Sequence, residues 1–324
     1  MNEIIQNSEH ELDSATSVVE QLLSQANRYI EHSKAFNTVK SYESDWRHFT
    51  EWCQSHGFDP LPASDKAYGL YIANLAITGY KVSTITRRMS SIAEAHRAAN
   101  QNSPTSEKVK AIMAGIRRLN GSVEKVKKPV MVEMLKVMIS FIPDTNKGLR
   151  DKTILLVGFT GAFRRSELVD IDRENIEFNS KGMVVTLKRS KTDQEGKGEQ
   201  VGIPYGMSHL TCPVLAMQAW IDRSLSESGP IFKPINRHGQ VLKKRLSSQT
   251  VALIVKEYAS KAGYDADDFS GHSLRSGLAT TAAISGKSER SIMSQTRHRS
   301  EMMVRKYIRQ GSLFQENAAS DIGL

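Results

Sequence analysis

Cysteine is almost missing from this 324-residue chain, which has only Cys53 and Cys212. Far apart and without C-x-x-C spacing, they encode neither a disulfide framework nor a zinc site, and reduced thiols are expected. Long apolar runs are missing too. No stretch reaches the roughly 18 residues that a membrane helix needs. The opening MNEIIQNSEHELDSATSVVEQ lacks the basic-then-apolar order of a signal peptide, so a cytoplasmic protein with no membrane partner is expected. No internal repeat or low-complexity tract is visible. Gly286-Lys287-Ser288 resembles a P-loop ending, but Thr281 stands where that loop needs glycine, and the reading is discarded.

What is present is ordinary globular material, 39% hydrophobic and 24% charged, enough for about two domains. The formal net charge of +9 is unevenly spread. Residues 1–27 hold five acids and no Lys or Arg, whereas residues 28–128 and 129–324 each carry an excess of seven positive charges. Two basic bodies suit a clamp around a polyanion whose affinity falls with salt.

The first fifteen residues read as a flexible acidic tail. Residues 16–120 then read as a helical domain. Val19, Leu22, Leu23, Ala26 and Ile30 recur at helical spacing. Asn37 or Thr38 is placed to cap a helix with the stripe Val39, Tyr42, Trp46, Phe49 and Cys53. Further helices begin near Ser64, at Ser83 and around residue 105. Two faces carry basic and hydroxyl side chains. Lys40, Ser41, Ser44 and Arg47 form one stripe, and Thr84, Arg87, Arg88 and Ser91 form another, read as exposed. Such faces can follow phosphates or enter a major groove, although any solvated helix shows similar chemistry.

Residues 121–129 read as a linker, and 130–311 as a second, mixed α/β domain. Within it GMVVTL (182–187) and residues 200–203 predict a β-hairpin joined by the polar loop KRSKTDQEGKGE, with helices before and after. Its last part holds the most chemistry. His272 and Arg275 form H-x-x-R, His298 lies 23 residues beyond Arg275, and Tyr307 nine beyond His298. A guanidinium grips two phosphate oxygens with one planar fork, histidine moves protons near neutral pH, and a positioned phenol can attack an electrophile. The set describes a metal-free, cofactor-free phosphate-splitting site.

Arg164 in TGAFRRSEL, Lys191 in SKT, His272 and Arg275 in GHSLR, His298, and Tyr307 in KYIR together resemble the ordered catalytic set of the tyrosine recombinases, the phage integrase family. NTVKSYESDWRHFTEWC and VSTITRRMSSIAEAHR extend the likeness over nearly the whole chain and toward its Cre-type simple site-specific members. The resemblance implies a mainly α fold, with a SAM-like core-binding domain followed by a mixed α/β catalytic domain holding a small antiparallel sheet. It implies that Arg164 and Arg275 clamp the scissile phosphate, His298 donates a further hydrogen bond, and Lys191 protonates the leaving 5′ oxygen. His272 would move the proton of Tyr307, Glu167 would orient the cations, and Tyr307 would form a 3′-phosphotyrosine without metal or ATP.

By the same likeness Lys40, Ser41, Arg47, Ser83, Arg87, Arg88 and Ser91 would face double-stranded DNA from one side. Gln249 would enter the groove from the other, beside Lys243, Lys244 and Arg245. The tail 312–324 would dock on the next subunit of a homotetramer bound to two inverted-repeat sites, and too few residues precede the helical domain for an arm-binding module. Three departures stand out. Thr296-Arg297 replaces the usual Leu-Gly, so the turn is expected to differ and Arg297 offers a further phosphate contact. His298 stands where the Cre-type has Trp. Arg165 follows Arg164 where an apolar residue is usual, a small ambiguity in which the pattern R-x-S-E-L favours Arg164 as the inward arginine. A type IB topoisomerase-like nicking-closing enzyme and a catalytically silent DNA-binding homologue are the alternatives.

Overall fold

The computed structural model describes residues 22, 24, 25, 28, 29, 36–121, 126–187, 198–298 and 300–311. The chain divides into two compact units, Met1–Glu124 and Lys125–Leu324, the division falling inside the stretch read as a linker. Of the helix expected before residue 32, the five described residues are helical; its remainder, like the acidic tail, lies outside the described residues.

The first unit packs α1 (Phe36–Ser55), α2 (Asp65–Ile77), α3 (Val82–Ala98) and α4 (Glu107–Asn120) around one core. Tyr68, Tyr71, Ile72 and Leu75 of α2 meet Phe49 and Cys53 of α1, Ile85 and Ile92 of α3, and Val109, Met113 and Ile116 of α4. Ser64 and Ser106 cap α2 and α4 by accepting from Ala67 N and Val109 N, each satisfying a first-turn donor. The start of α1 differs from expectation: Phe36 is already helical, which places Asn37 and Thr38 in the first turn rather than at the cap. His96 is fully buried yet satisfied, its Nδ1 2.8 Å from Ile92 O and its Nε2 accepting from Ala63 N at 2.9 Å.

The second unit begins with α5 (Val132–Ser140), α6 (Asn146–Thr160) and the short α7 (Arg165–Val169). An antiparallel sheet of order β1-β2-β3 follows: β1 (Ile176–Asn179), β2 (Gly182–Leu187) and β3 (Glu199–Pro204). Ile176 pairs with Val185, and Val185 with Val201, so alternate residues fall on one buried face. The expected hairpin gains a third strand here. β1 offers only Ile176 and Phe178 as alternating apolar positions, too little pattern to read as a strand before β2 pairs with it. Then come α8 (Pro213–Ser224), α9 (Ser248–Lys261), α10 (Ser273–Ile284), α11 (Glu289–Thr296) and α12 (Glu301–Gly311).

The start of this unit is fastened to α10. Val130 N donates to Ser273 O at 2.9 Å, and Lys128 N donates to Asp268 O at 2.8 Å. Gly277 lets that backbone in, since a Cβ there would stand 1.9 Å from Val130 O. Among the described residues no helix is long and apolar enough to cross a membrane.

Candidate active site

The pocket is organised by a strained turn between α6 and α7. Ala162 adopts φ +46°, in the left-handed region where a Cβ is unfavourable, and its carbonyl accepts from Arg275 Nη1 at 2.8 Å and Arg297 Nη2 at 3.1 Å. Gly161 precedes it because a Cβ there would collide with the Phe163 ring at 2.1 Å. The turn delivers Arg164 to the N-cap of α7, half-buried, and sends Arg165 to solvent, so Arg164 is the inward arginine. Glu167, buried one turn later, accepts from both the backbone N of Arg164 at 3.0 Å and its guanidinium. Burial alone would raise the Glu167 pKa, but the Arg164 N–H, then the Arg297 and Arg164 charges, bring it below the usual value.

α10 supplies His272 at its N-cap and Arg275 in its first turn. Arg275 is 1% exposed, and its Nη2 has no hydrogen-bond partner. Desolvation, then the neighbouring Arg164 and Arg297 charges, bring its pKa down to about 9, still a cation at neutral pH. Desolvation followed by the Arg275 and Arg164 charges also lowers the His272 pKa.

α12 brings the buried Tyr307 to this edge, with its hydroxyl 3.0 Å from His272 Nε2. Burial raises the phenol's pKa and the Arg275 charge opposes the rise. With His272 neutral, the phenol O–H can donate to Nε2, the geometry of a base waiting for a proton.

His298 lies just past α11, its ring centroid 5.8 Å from that of Tyr307. The Thr296 hydroxyl sits 2.6 Å from Ile292 O and 2.8 Å from His298 Nδ1. A carbonyl only accepts, so the single hydroxyl proton goes to Ile292 and His298 must donate from Nδ1. Neutral His298 therefore carries a bare Nε2. Desolvation, then the charges of Arg275, Arg164, His272 and Arg297, push its pKa to about 4. It becomes a donor at Nε2 only by taking up a proton, which an arriving anion favours.

Arg297 does not reach out to offer a phosphate contact, as its sequence position led us to expect. It is buried in the left-handed C-cap of α11, φ +55°, and turned back into the protein. Lys191 lies outside the described residues. Arg164, Glu167, His272, Arg275, His298 and Tyr307 are brought to one pocket.

The candidate DNA-reading residues divide. Lys40, Arg47, Ser83 and Arg87 are exposed, and Ser41 is half-buried. Arg87 crosses from α3 to the Asp45 carboxylate on α1. Arg88 and Ser91 are corrected: both are buried between α1 and α3. Arg88 Nη1 lies 3.0 Å from His48 Nδ1 and donates to Tyr71 OH at 3.3 Å, with Asp45 3.6 Å from its Nε; Ser91 donates to Tyr42 O at 2.9 Å. Buried polar groups persist where such partners exist, and a stripe on one helix does not reveal them. In the second unit Lys243, Lys244 and Gln249 are exposed. Arg245 is half-buried and donates to Val169 O and Asp172, both at 2.7 Å, which pins its loop.

Comparison with known proteins decides the family. The model of the phage integrase family matches residues 128–312, more than half of the chain and all of the pocket. The chain belongs to the phage integrase family of tyrosine recombinases. The integrase/recombinase xerD homolog of Selenomonas ruminantium is 43% identical over 304 residues, covering 92% of this chain and 89% of that protein. The tyrosine recombinase XerD of Xanthomonas axonopodis pv. citri (strain 306) is 26% identical over 274 residues, 82% of this chain and 83% of its own. Among solved structures, the Tn1549 transposon integrase in complex with transposon right end DNA has TM-score 0.61 at 16% identity, covering 87% of this chain and 92% of that one. A lambda integrase dimer bound to a COC′ core site has TM-score 0.59 at 17% identity, covering 89% and 94%. At such identities these two attest the recombinase fold. The comparisons support the family and not a Cre-type specificity within it.

Proposed function

We propose that this DNA recombinase cleaves and rejoins strands at specific double-stranded sites through a 3′-phosphotyrosine. The observation that carries the reading is the Tyr307 hydroxyl 3.0 Å from His272 Nε2, beside the unsatisfied Nη2 of buried Arg275. A scissile phosphate placed there would give Arg275 its missing acceptor, and Arg164 would complete the clamp.

In this reading the Tyr307 oxygen attacks phosphorus, its proton passes to His272, and the bond from phosphorus to the 5′ oxygen breaks. Lys191 protonates the departing oxygen. His298, protonated as the phosphate arrives, donates from Nε2. Glu167 holds Arg164 in place. The phosphotyrosine conserves the energy of the broken bond for religation, so the chemistry asks for neither ATP nor a metal. A homotetramer on two inverted-repeat sites, exchanging strands through a Holliday junction, would bind DNA through the exposed Lys40, Arg47, Ser83, Arg87, Lys243, Lys244 and Gln249. The 312–324 tail would dock in trans between subunits. A cytoplasmic, nucleoid- or plasmid-associated enzyme fits this role.

The test is covalent trapping on replicon DNA carrying suicide nicks. An adduct on the 3′ side, absent in Tyr307→Phe and undiminished in EDTA, is expected, with its yield dependent on one sequence. Tight DNA binding with no adduct would overturn the reading.

A further inference from the structure

Arg297 is the most connected cation of the pocket and has no role in the chemistry above. Its Nη1 donates to Gly161 O at 2.9 Å and Gln295 O at 2.8 Å, and its Nη2 to Ala162 O at 3.1 Å and Glu167 Oε2 at 3.0 Å. Its guanidinium stands 5.1 Å over the Phe163 ring. Its Nε faces Glu199 at 3.9 Å, at the start of β3, where the chain returns from the loop that includes Lys191.

Two of these partners are shared. Glu167 also holds Arg164, and the Ala162 carbonyl also holds Arg275. One side chain thus ties together the supports of both candidate phosphate clamps and touches the root of the hairpin. The site keeps it at a cost, since an L side chain with φ +55° is less favourable there than glycine. Its planar fork is used at both Nη atoms, while Nε makes no hydrogen bond and has only the 3.9 Å approach to Glu199.

We propose that Arg297 is a positioning residue of the strand-cleaving pocket: it does not touch DNA but fixes Glu167 and the Gly161–Ala162 turn, and through them orients Arg164 and Arg275. The inference rests on the proposed cleavage reaction. Its substrate-facing consequence is a split between binding and chemistry. The cations that meet phosphate remain present without Arg297, but not in register.

The experiment compares wild type, Arg297→Gly and Arg297→Lys on a radiolabelled half-site bearing a suicide nick, measuring half-site Kd and the single-turnover rate of adduct formation. Glycine suits the left-handed cap, so the fold should survive, and a circular-dichroism melt checks this. Arg297→Gly is expected to bind within about twofold of wild type and to cleave about 30-fold more slowly, the scale of losing charge-assisted hydrogen bonds that align a clamp. Arg297→Lys should remain slow, because an ammonium cannot reproduce the fork. Ethylguanidinium added to Arg297→Gly should restore part of the rate. Wild-type cleavage by Arg297→Gly, full recovery by lysine, or a parallel loss of binding and cleavage would each overturn the inference while leaving the cleavage reading standing. A wild-type protein that forms no adduct would bring down both.

Discussion

Each unit buries an arginine network, and the two are built differently. In the first, Asp45 carries Arg87 and Arg88 together, Arg88 reaches His48 and Tyr71, and its guanidinium lies 4.3 Å over the Tyr80 ring. In the second, Arg164 and Arg297 share Glu167, while Arg275, the most deeply buried of the three, has no ion pair among the described residues. A buried guanidinium that faces its own carboxylate holds a fold together. One that faces none has its charge unbalanced and can take an anion as its partner. By this contrast Arg275 is the cation whose charge an anion would balance, whereas Arg88 and Arg297 already meet carboxylates.

The sharpest way to break the comparison is to neutralise Arg275. Arg275→Met should lower single-turnover cleavage by about 10³-fold. The same change should raise the melting temperature of the DNA-free protein by a few degrees, about 1 kcal/mol, because it removes an uncompensated buried charge. A fall in stability would show that Arg275 is paired after all. Asp45→Ala is the mirror image. It leaves Arg88 buried without its carboxylate and should cost the first unit about 3–5 kcal/mol by denaturant titration, with the isolated chemistry of the pocket unaffected.

A third test sharpens the contrast through protons. His298 sits near a pKa of about 4 in the free protein and is neutral at pH 7. A phosphodiester beside it raises that pKa, so DNA binding should take up a proton and weaken as pH climbs above about 4 toward the raised value. Calorimetry in buffers of different ionisation enthalpy reads the uptake, and His298→Gln should abolish it. The smallest effect belongs to the surface. Replacing Lys243 and Lys244 together by alanine should reduce the slope of log Kd against log salt by about two, equally for specific and random DNA. An unchanged slope would remove them from the interface.

Much of the pocket was legible because its chemistry comes in a fixed order of unusual residue types. The helical core was legible because Trp46, Phe49 and Cys53 on one helix, and Val109, Met113 and Ile116 on another, recur at helical spacing. What escaped reading depended on partners from elsewhere in the chain. Arg88 and Ser91 make a polar stripe on α3, and only Asp45, His48 and Tyr42 on α1 turn that stripe inward. β1 needed β2 beside it. Arg297 was visible as an oddity before His298, but its direction is set by a left-handed backbone angle that no residue pattern announced.

The fastening of Val130 to Ser273 has a mechanical meaning. The chain leaving the linker bonds to the first turn of α10, one residue from His272 and two from Arg275, with Gly277 seating the joint. Strain entering the second unit at Val130 would therefore reach His272 and Arg275 before the rest of the pocket.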